Sequence, residues 1–579
     1  MNNITLILLL FIIQVNSFII KYNKEIFRYK IDKLHLIDDK SVNDNNNNNN
    51  NNNNVQLKRI SKLIETWCGC HGLLYADAQL NNNKNELDNL YVWRTAPLSL
   101  LPLPYPYKAY QYTKDLQPII NTLIDKVSRD KDFLINTLNI IARTDAFTNK
   151  LLQIYEEIDE NLIKESIQLG LHRSDYMLNI DDINDNNNEK PLQIEINTIA
   201  SSFGCLSEKV TTLHKYILER LDKDNSAWDD IRKQLNYTFN DPIITLKSIP
   251  DNVSTRMLAF GIAMAHLVFG DNQSIVLFVV QPGERNVADQ RLLAEELWVS
   301  HNIRTEFITL SDVINQCYVD NNKILKYKID NNIEHEKIVS VVYYRAGYSP
   351  SDYPTNNEWE ARKMIEKSSA IKCPSIGYQL AGTKKVQQVL CEENILEKYL
   401  NTEQCKLLRE CFALQYSLGT MATKESLEAI ENAINDGSKW VLKPQREGGG
   451  NNYYGTDLSN FLNKHKSDTI LSEYILMQRI FPRVMNSLFL RNSEIKLLPS
   501  INELGIYGTF LGDGSSKPLI NTYSGYLLRT KPWGVDEGGV ATGFSVLNSI
   551  ALLDIEESTI EYEKDDEELE FERISKNNL

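Results

Sequence analysis

A ten-residue stretch, Lys443-Pro444-Gln445-Arg446-Glu447-Gly448-Gly449-Gly450-Asn451-Asn452, limits what this chain can be. It follows the β-prone run Trp440-Val441-Leu442. Three consecutive glycines let a backbone turn tightly and aim several N–H groups at one anion. Lys443 and Arg446 suit phosphate oxygens, and the Glu447 carboxylate suits a hard cation such as Mg²⁺. Binding a nucleoside triphosphate is the leading task that needs all three together. Neither Gly-x-Gly-x-x-Gly nor a P-loop Gly-Lys-Ser/Thr occurs, which disfavours the dinucleotide and P-loop folds.

The bulk numbers agree with a large enzyme. The 579 residues are 42% hydrophobic and 24% charged, enough for a sizeable core. Length alone allows about four domain-sized units. A net charge of -15 argues against non-specific nucleic-acid binding, although a local basic pocket can still hold an anion. The eight cysteines form no C-x-x-C pair, and Cys68-Gly69-Cys70 is too tight for an ordinary zinc pair. Free cytosolic thiols are expected. The apolar run Ile4 to Ile13 is short for a bilayer span and lacks the basic residue that opens a secretory signal. It reads as an extension of a cytoplasmic protein with no membrane partner. Triplets at Asn3, Asn236, Asn252 and Asn272 carry little weight in so asparagine-rich a chain.

Asn45 to Asn54 is an unbroken asparagine tract, expected to be a disordered insert. Asn81 to Asn83 and Asn186 to Asn188 read as loops of the same kind, and the acidic run Asp554 to Arg573 as a solvated tail. Between these limits helix and strand signals alternate. Leu206, Val210, Leu213, Ile217 and Leu221 recur at steps of three and four, which predicts an amphipathic helix. Ser274 to Val280 is continuously apolar after its first residue, like a strand buried on both faces. Helix formers follow at Arg291 to Leu297, then a second apolar run at Ile338 to Tyr344. This order predicts a small parallel α/β layer from about Ser274 to Thr383. Leu504 to Phe510 and Leu519 to Leu528 flank Gly512-Asp513-Gly514, which predicts an antiparallel hairpin. The fold class is therefore α/β of mixed α+β character.

In Gln193-Ile194-Glu195-Ile196-Asn197 apolar and polar residues alternate, so on a strand Glu195 and Asn197 share one face. Both offer oxygen ligands of the kind Mg²⁺ accepts, although the stretch taken alone reads better as an ordinary solvated strand face. The next segment, Thr198 to Gly204, is suited to a loop approaching a ligand. Arg345 and Tyr348 follow one apolar strand, and Glu284, Asn286 and Gln290 follow the previous one. Ligands bind at such strand ends, although Arg345 to Tyr348 alone reads equally as a surface turn, and these two groups would line one crevice if the strands are neighbours. Arg529 and Lys531 lead toward Glu537-Gly538-Gly539-Val540-Ala541-Thr542-Gly543, which reads either as a mobile lid or as a plain glycine-rich connection.

In their order along the chain these segments resemble the eukaryotic glutathione synthetase family of ATP-grasp ligases. The resemblance rests on Gln193 to Ile199, Glu284 to Asn286, Arg345 to Tyr348, Gln379 to Gln388, Lys443 to Asn452, Tyr474 to Met477, Glu503 to Ile506 and Leu527 to Lys531. It implies an ATP-grasp fold with an inserted small parallel α/β substrate-binding domain. The parts would be an extension over 1–54, a first ATP-grasp segment over 55–273, the inserted domain over 274–383 and a second ATP-grasp segment over 384–579. It further implies a homodimer that joins γ-glutamylcysteine to glycine with ATP and Mg²⁺. Glu195, Asn197 and Glu447 match metal-binding positions. Lys384, Lys443, Gly448, Gly449, Gly450, Asn451, Asn452, Tyr454, Met477, Gln478, Arg479, Ile480, Glu503, Lys531 and Glu537, with Glu195 and Glu447, match positions around ATP. Arg173, Ser202, Glu284, Asn286, Gln290, Arg345, Tyr348, Arg529, Val540 and Ala541 match positions around the dipeptide or product. Arg529, Lys443 and Lys384 take the catalytic roles. Ala200, Ala346 and Thr542 stand where the family commonly has serine, aspartate and alanine. Relatives that prefer β-alanine differ in the loop containing Thr542, so β-alanine is the alternative acceptor; the other alternative is a catalytically inactive ATP-binding module.

Overall fold

In the computed structural model the described residues are 48–77, 91–180, 189–223, 246–329, 335–445, 452–466, 468–536, 538–540 and 543–553. Residues 60–554 form one unit; 1–59 with 555–579 form a second, of which only 48–59 are described. The apolar run at Ile4 to Ile13, the inserts at Asn81 and Asn186 and the acidic tail lie outside the described residues.

The largest layer is a seven-stranded sheet, and its centre is the predicted hairpin. Its strands are longer than apolarity alone indicates, running over Glu494–Gly512 and Ile520–Pro532. At the turn the Ser515 backbone N–H donates to Asp513 Oδ1 at 2.9 Å. Gly514 there has φ of +84°, and a Cβ would meet the Lys164 carbonyl oxygen at 2.4 Å. Only glycine suits both conditions. Gln168–Ile180 pairs antiparallel with the second half of Glu494–Gly512, and Glu189–Asn197 pairs with Gln168–Ile180 at the sheet edge. Ile520–Pro532 pairs on its other side with Val546–Asn548. Leu98–Ser99 and Met485–Arg491 complete the order.

Helices Tyr107–Arg129, Gly204–Lys223 and Ser254–Phe269 pack against this sheet. Gly508 lets Gln117 and Asn121 of the first helix come within 2.7 Å of where a Cβ would lie. The predicted amphipathic stripe is buried at Leu206, Val210, Leu213 and Ile217.

A second sheet has parallel neighbours in the order Thr305–Thr309, Ile275–Val280, Glu336–Tyr344 and Ile371–Cys373. All six side chains of Ile275–Val280 are buried, as a strand with both faces covered requires. The sheet continues antiparallel through Leu325–Lys328 and Cys317–Val319, an extension that no apolar run announces. A third, four-stranded sheet has the order Gln415–Ser417, Tyr474–Gln478, Trp440–Pro444 and Tyr453–Tyr454. Its own core includes Leu442, Leu476, Leu458 and Ile430. The triple-glycine segment joins its two strands Trp440–Pro444 and Tyr453–Tyr454, with 446–451 outside the described residues.

One expectation is corrected. Asn48 to Asn54, read as part of a disordered insert, belongs to the helix Asn48–His71. Downstream Ile64, Trp67 and Cys68 are buried at helical spacing. Once such a helix is anchored, each further residue adds one hydrogen bond at small cost, so a polar tract can continue it. Among the described residues no helix is long and apolar enough to cross a membrane.

Candidate active site

Strand alternation concentrates charge on one face of the main sheet. Arg173 stands opposite Asn197, Asp175 opposite Glu195, and Glu503 opposite Arg529. Directly opposed residues share a face, so side chains far apart in the chain meet there. Glu189–Asn197 is an edge strand, and Gln387 completes its ladder. The Gln387 side-chain oxygen accepts from Ile196 N–H at 2.8 Å, while its Nε2 donates to the Ile196 carbonyl at 3.1 Å. This clamp fixes the backbone between Glu195 and Asn197.

A cleft of about 580 Å³ opens over this face. The main sheet supplies Arg173, Glu195, Asn197, Glu503, Arg529 and Lys531 to its wall. The third sheet supplies Val441, Lys443, Tyr454, Met477 and Gln478. Lys384 comes from the start of helix Lys384–Leu390, and Arg479, Ile480, Asn452, Ser202 and Tyr348 come from connecting segments. Apolar Met177, Ile194, Val441, Met477 and Ile501 offer surface for a flat ring, while the cations suit phosphate.

The electrostatics follow from burial against charge. Burial alone would raise the Glu195 carboxyl, but Lys384, Lys443, Arg529 and Arg173 outweigh it and hold it well below the usual range. Glu195 is therefore an anion at any ordinary pH. Glu503 moves the other way: burial raises its carboxyl, Asp175 and Glu195 add to the rise, and Arg529 with Lys531 offset it in part. Glu503 accepts a hydrogen bond from Arg529 Nη2. Lys443 Nζ donates to the Ile194 carbonyl at 3.0 Å, and Lys531 Nζ to the Asp536 carbonyl at 2.6 Å. Arg479 Nη2 pairs with Asp536 Oδ1 at 2.9 Å across the rim.

The donor set suits a hard divalent cation. Asn197 Nδ2 donates to Asp175 Oδ2 at 3.0 Å and lies 3.5 Å from Glu195 Oε1, which leaves the amide oxygen as the group that side chain can offer a cation. Among the described residues no group of three or more His, Cys, Asp or Glu converges as a metal cluster. Mg²⁺ needs none, because it keeps waters and phosphate oxygens in its shell.

The segment after Asn197 is strained and pinned. Ala200 and Phe203 have φ of 52° and 74°, uncommon for side-chain-bearing residues. Tyr507 donates its hydroxyl to the Ser202 carbonyl at 2.6 Å. Asp289 accepts from the N–H groups of Phe203 at 2.8 Å and Cys205 at 2.9 Å, and pairs with Arg345 Nη1 at 3.0 Å. The two predicted strand-end groups thus come together, since Ile275–Val280 and Glu336–Tyr344 are neighbours. Glu284 accepts from Asn286 N–H at 2.8 Å and from Gln290 Nε2 at 3.4 Å. The Asn286 side chain is buried and neither of its amide atoms has a hydrogen-bond partner among the described residues.

Of this second group only Tyr348 lines the main cleft; Glu284, Asn286, Gln290 and Arg345 lie off its wall. Val540 is buried and also off the wall, which its neighbours Gly538 and Gly539 do form. Glu447, Gly448, Gly449, Gly450, Asn451, Glu537 and Ala541 lie outside the described residues. Sequence reasoning missed Asp175, Asp289 and Gln387 as organising residues, and Phe481 and Trp533 at the rim. For Asp175 a signal existed: it stands two residues from Arg173 on one strand, hence on the same face.

Known proteins resemble this chain over most of its length. Residues 54–552 match the family described as eukaryotic glutathione synthase, ATP binding domain. The chain is 40% identical over 491 residues to the chloroplastic glutathione synthetase of Arabidopsis thaliana, covering 84% of each chain. It is 36% identical over 494 residues to the glutathione synthetase of Dictyostelium discoideum, covering 84% of this chain and 97% of that one. A solved structure of a glutathione synthetase-like effector from Globodera pallida shares the fold with a TM-score of 0.63 and 22% identity, over 86% of this chain and 97% of that one. The matches span nearly all of the sheet framework that builds the cleft, and the chain belongs to the eukaryotic glutathione synthase family.

Proposed function

We propose that this protein joins γ-glutamylcysteine to glycine, splitting ATP to ADP and phosphate. The observation that carries the proposal is the convergence of Lys384, Lys443, Lys531 and Arg529 with Glu195 and Asn197 on one cleft. Five relatives or more bearing the name glutathione synthetase across plants, animals and an amoeba support the same reaction.

A carboxylate is a poor acyl donor, so an amide bond requires activation. The cysteinyl carboxylate attacks the γ-phosphorus of ATP, ADP leaves, and an acyl phosphate forms. The glycine amine then attacks the acyl carbon, the carbon–oxygen bond to phosphate breaks, and the amine loses a proton. The protein's tasks are alignment and charge stabilisation. Lys384, Lys443 and Lys531 hold the phosphate oxygens, and Arg529 steadies the transferred group. Glu195 and Asn197, with Glu447 from the glycine segment, would hold Mg²⁺. Bound there, Mg²⁺ neutralises charge on the phosphates. Tyr454, Met477, Gln478, Arg479, Ile480 and Glu503 flank the nucleotide; Gly448 to Asn452 and Glu537 close over it. Arg173, Ser202, Glu284, Asn286, Gln290, Arg345 and Tyr348 hold the dipeptide, with Val540 and Ala541 in the lid. The loops shut water away from the acyl phosphate. Alignment of this kind contributes about 7–11 kcal/mol to such a step.

The ATP-grasp parts, with the parallel sheet as the inserted substrate-binding domain, are assigned on the same reading. So are a homodimer and a cytoplasmic location; the eight free cysteines fit a reducing compartment. The test is ADP release with Mg²⁺ and γ-glutamylcysteine, with and without glycine, and with β-alanine as competitor. Release that requires both the dipeptide and glycine is expected. Release independent of either would overturn the ligase.

A further inference from the structure

Asp175 is wholly buried and does not line the cleft, yet four hydrogen bonds end on its carboxylate. Oδ1 accepts from Arg173 Nε at 2.7 Å. Oδ2 accepts from Arg173 Nη2 at 2.9 Å, Arg529 Nη2 at 2.8 Å and Asn197 Nδ2 at 3.0 Å. Gly505 stands opposite Asp175 in the neighbouring strand. A Cβ at Gly505 would lie 2.7 Å from Asp175 Oδ1 and 2.9 Å from Arg173 Cδ, so the absent side chain is what makes room for the pair.

We propose that Asp175 is the positioning residue of this site, aiming Arg173 and Arg529 and turning the Asn197 amide so that its oxygen is presented for a divalent cation. The proposal rests on the roles given above to those three residues.

Two guanidinium groups side by side in a buried place repel each other unless an anion lies between them. Asp175 is that anion, and its two oxygens fix where both arginines point. The Asn197 amide is constrained separately. Its Nδ2 faces Asp175 Oδ2 at 3.0 Å, Glu195 Oε1 at 3.5 Å and the Arg173 carbonyl at 3.5 Å. Three acceptors around one atom demand a donor, so the amide cannot reverse without setting oxygen against oxygen. The oxygen is thereby committed to the opposite direction. The donors on the Asp175 carboxylate are Arg173, Arg529 and Asn197, none of which is given a part in holding the nucleotide, so nucleotide binding should be separable from it.

The experiment uses the full chain carrying Asp175→Asn, and separately Gly505→Ala, which crowds the carboxylate without removing it. Nucleotide affinity without divalent ion, Mn²⁺ affinity of the complex with a non-hydrolysable ATP analogue by electron paramagnetic resonance, and γ-glutamylcysteine affinity by calorimetry are measured. The expected signature is unchanged nucleotide binding with a loss of Mn²⁺ and dipeptide affinity of about 10–100-fold, the usual size for losing a supporting residue. A folded variant that binds Mn²⁺ and dipeptide like the wild type overturns the proposal. Should Asp175→Asn not fold, Gly505→Ala is decisive in the same way. Failure of the wild type itself to bind the dipeptide would overturn the ligase reading, and with it this one.

Discussion

Strands Ile275–Val280 and Gln168–Ile180 are both buried, for opposite reasons. The first buries six apolar side chains in succession. The second buries its first nine residues, yet His172, Arg173, Ser174 and Asp175 stand in the middle of them. Burial of the apolar strand is favourable in itself and needs no partner. Burial of the polar strand's charged pair, Arg173 and Asp175, is tolerable because these two, Arg529 and Asn197 satisfy one another. Apolar burial therefore supplies stability, and paired polar burial supplies a preorganised site that faces the cleft.

If that contrast holds, removing a cleft cation should cost activity and spare the fold. Lys443→Ala is expected to lower turnover by about 10²–10³-fold, the range for losing one preorganised charge-stabilising group. Its chemical denaturation midpoint should stay near that of the wild type. The converse belongs to the apolar strand. Leu277 is wholly buried, and Leu277→Ala should cost about 2–5 kcal/mol in stability by denaturant titration. Turnover per folded molecule should not change. A Leu277→Ala protein with intact stability and lost turnover would reverse the assignment of the two strands.

The smallest effect concerns pH. His172, in the polar strand, is pushed down to about 3 by burial from its ordinary 6.5. His214, on the helix packed against the same sheet, is pushed down to about 4, burial outweighing its bond to the Ser99 carbonyl. Below 6.5 the unfolded chain takes up a proton at each position, and the folded chain does not. Their stability contribution is complete above 6.5 and falls as pH drops toward 4. Urea midpoints at about pH 7.5 and about pH 5 should show this decline, and His172→Gln should make it shallower. A midpoint that rises on acidification contradicts the neutral buried imidazoles.

The contrast also explains what could be read in advance. Ile275–Val280 is legible because a fully buried strand writes its environment into consecutive residues. Glu195 and Asn197 are legible because one strand's alternation puts them on one face. The triple-glycine segment is legible because its chemistry is local. Asp175 was legible only as a neighbour of Arg173 on one face; its role was not, since that needs Gly505 and Arg529 placed across strands more than 300 positions further along the chain. Gln387 was not, because a side chain completing an edge ladder has no periodicity. The helical asparagines show that anchoring from a neighbouring segment can override composition.

The central claim is that the charged face of the main sheet is where ATP and the divalent cation meet. A crystal structure with a non-hydrolysable ATP analogue, Mg²⁺ and γ-glutamylcysteine tests it most directly. The account predicts the terminal phosphate among Lys384, Lys443 and Lys531, with cation density against Glu195 and the Asn197 amide oxygen. Phosphate or cation density away from that face would contradict it.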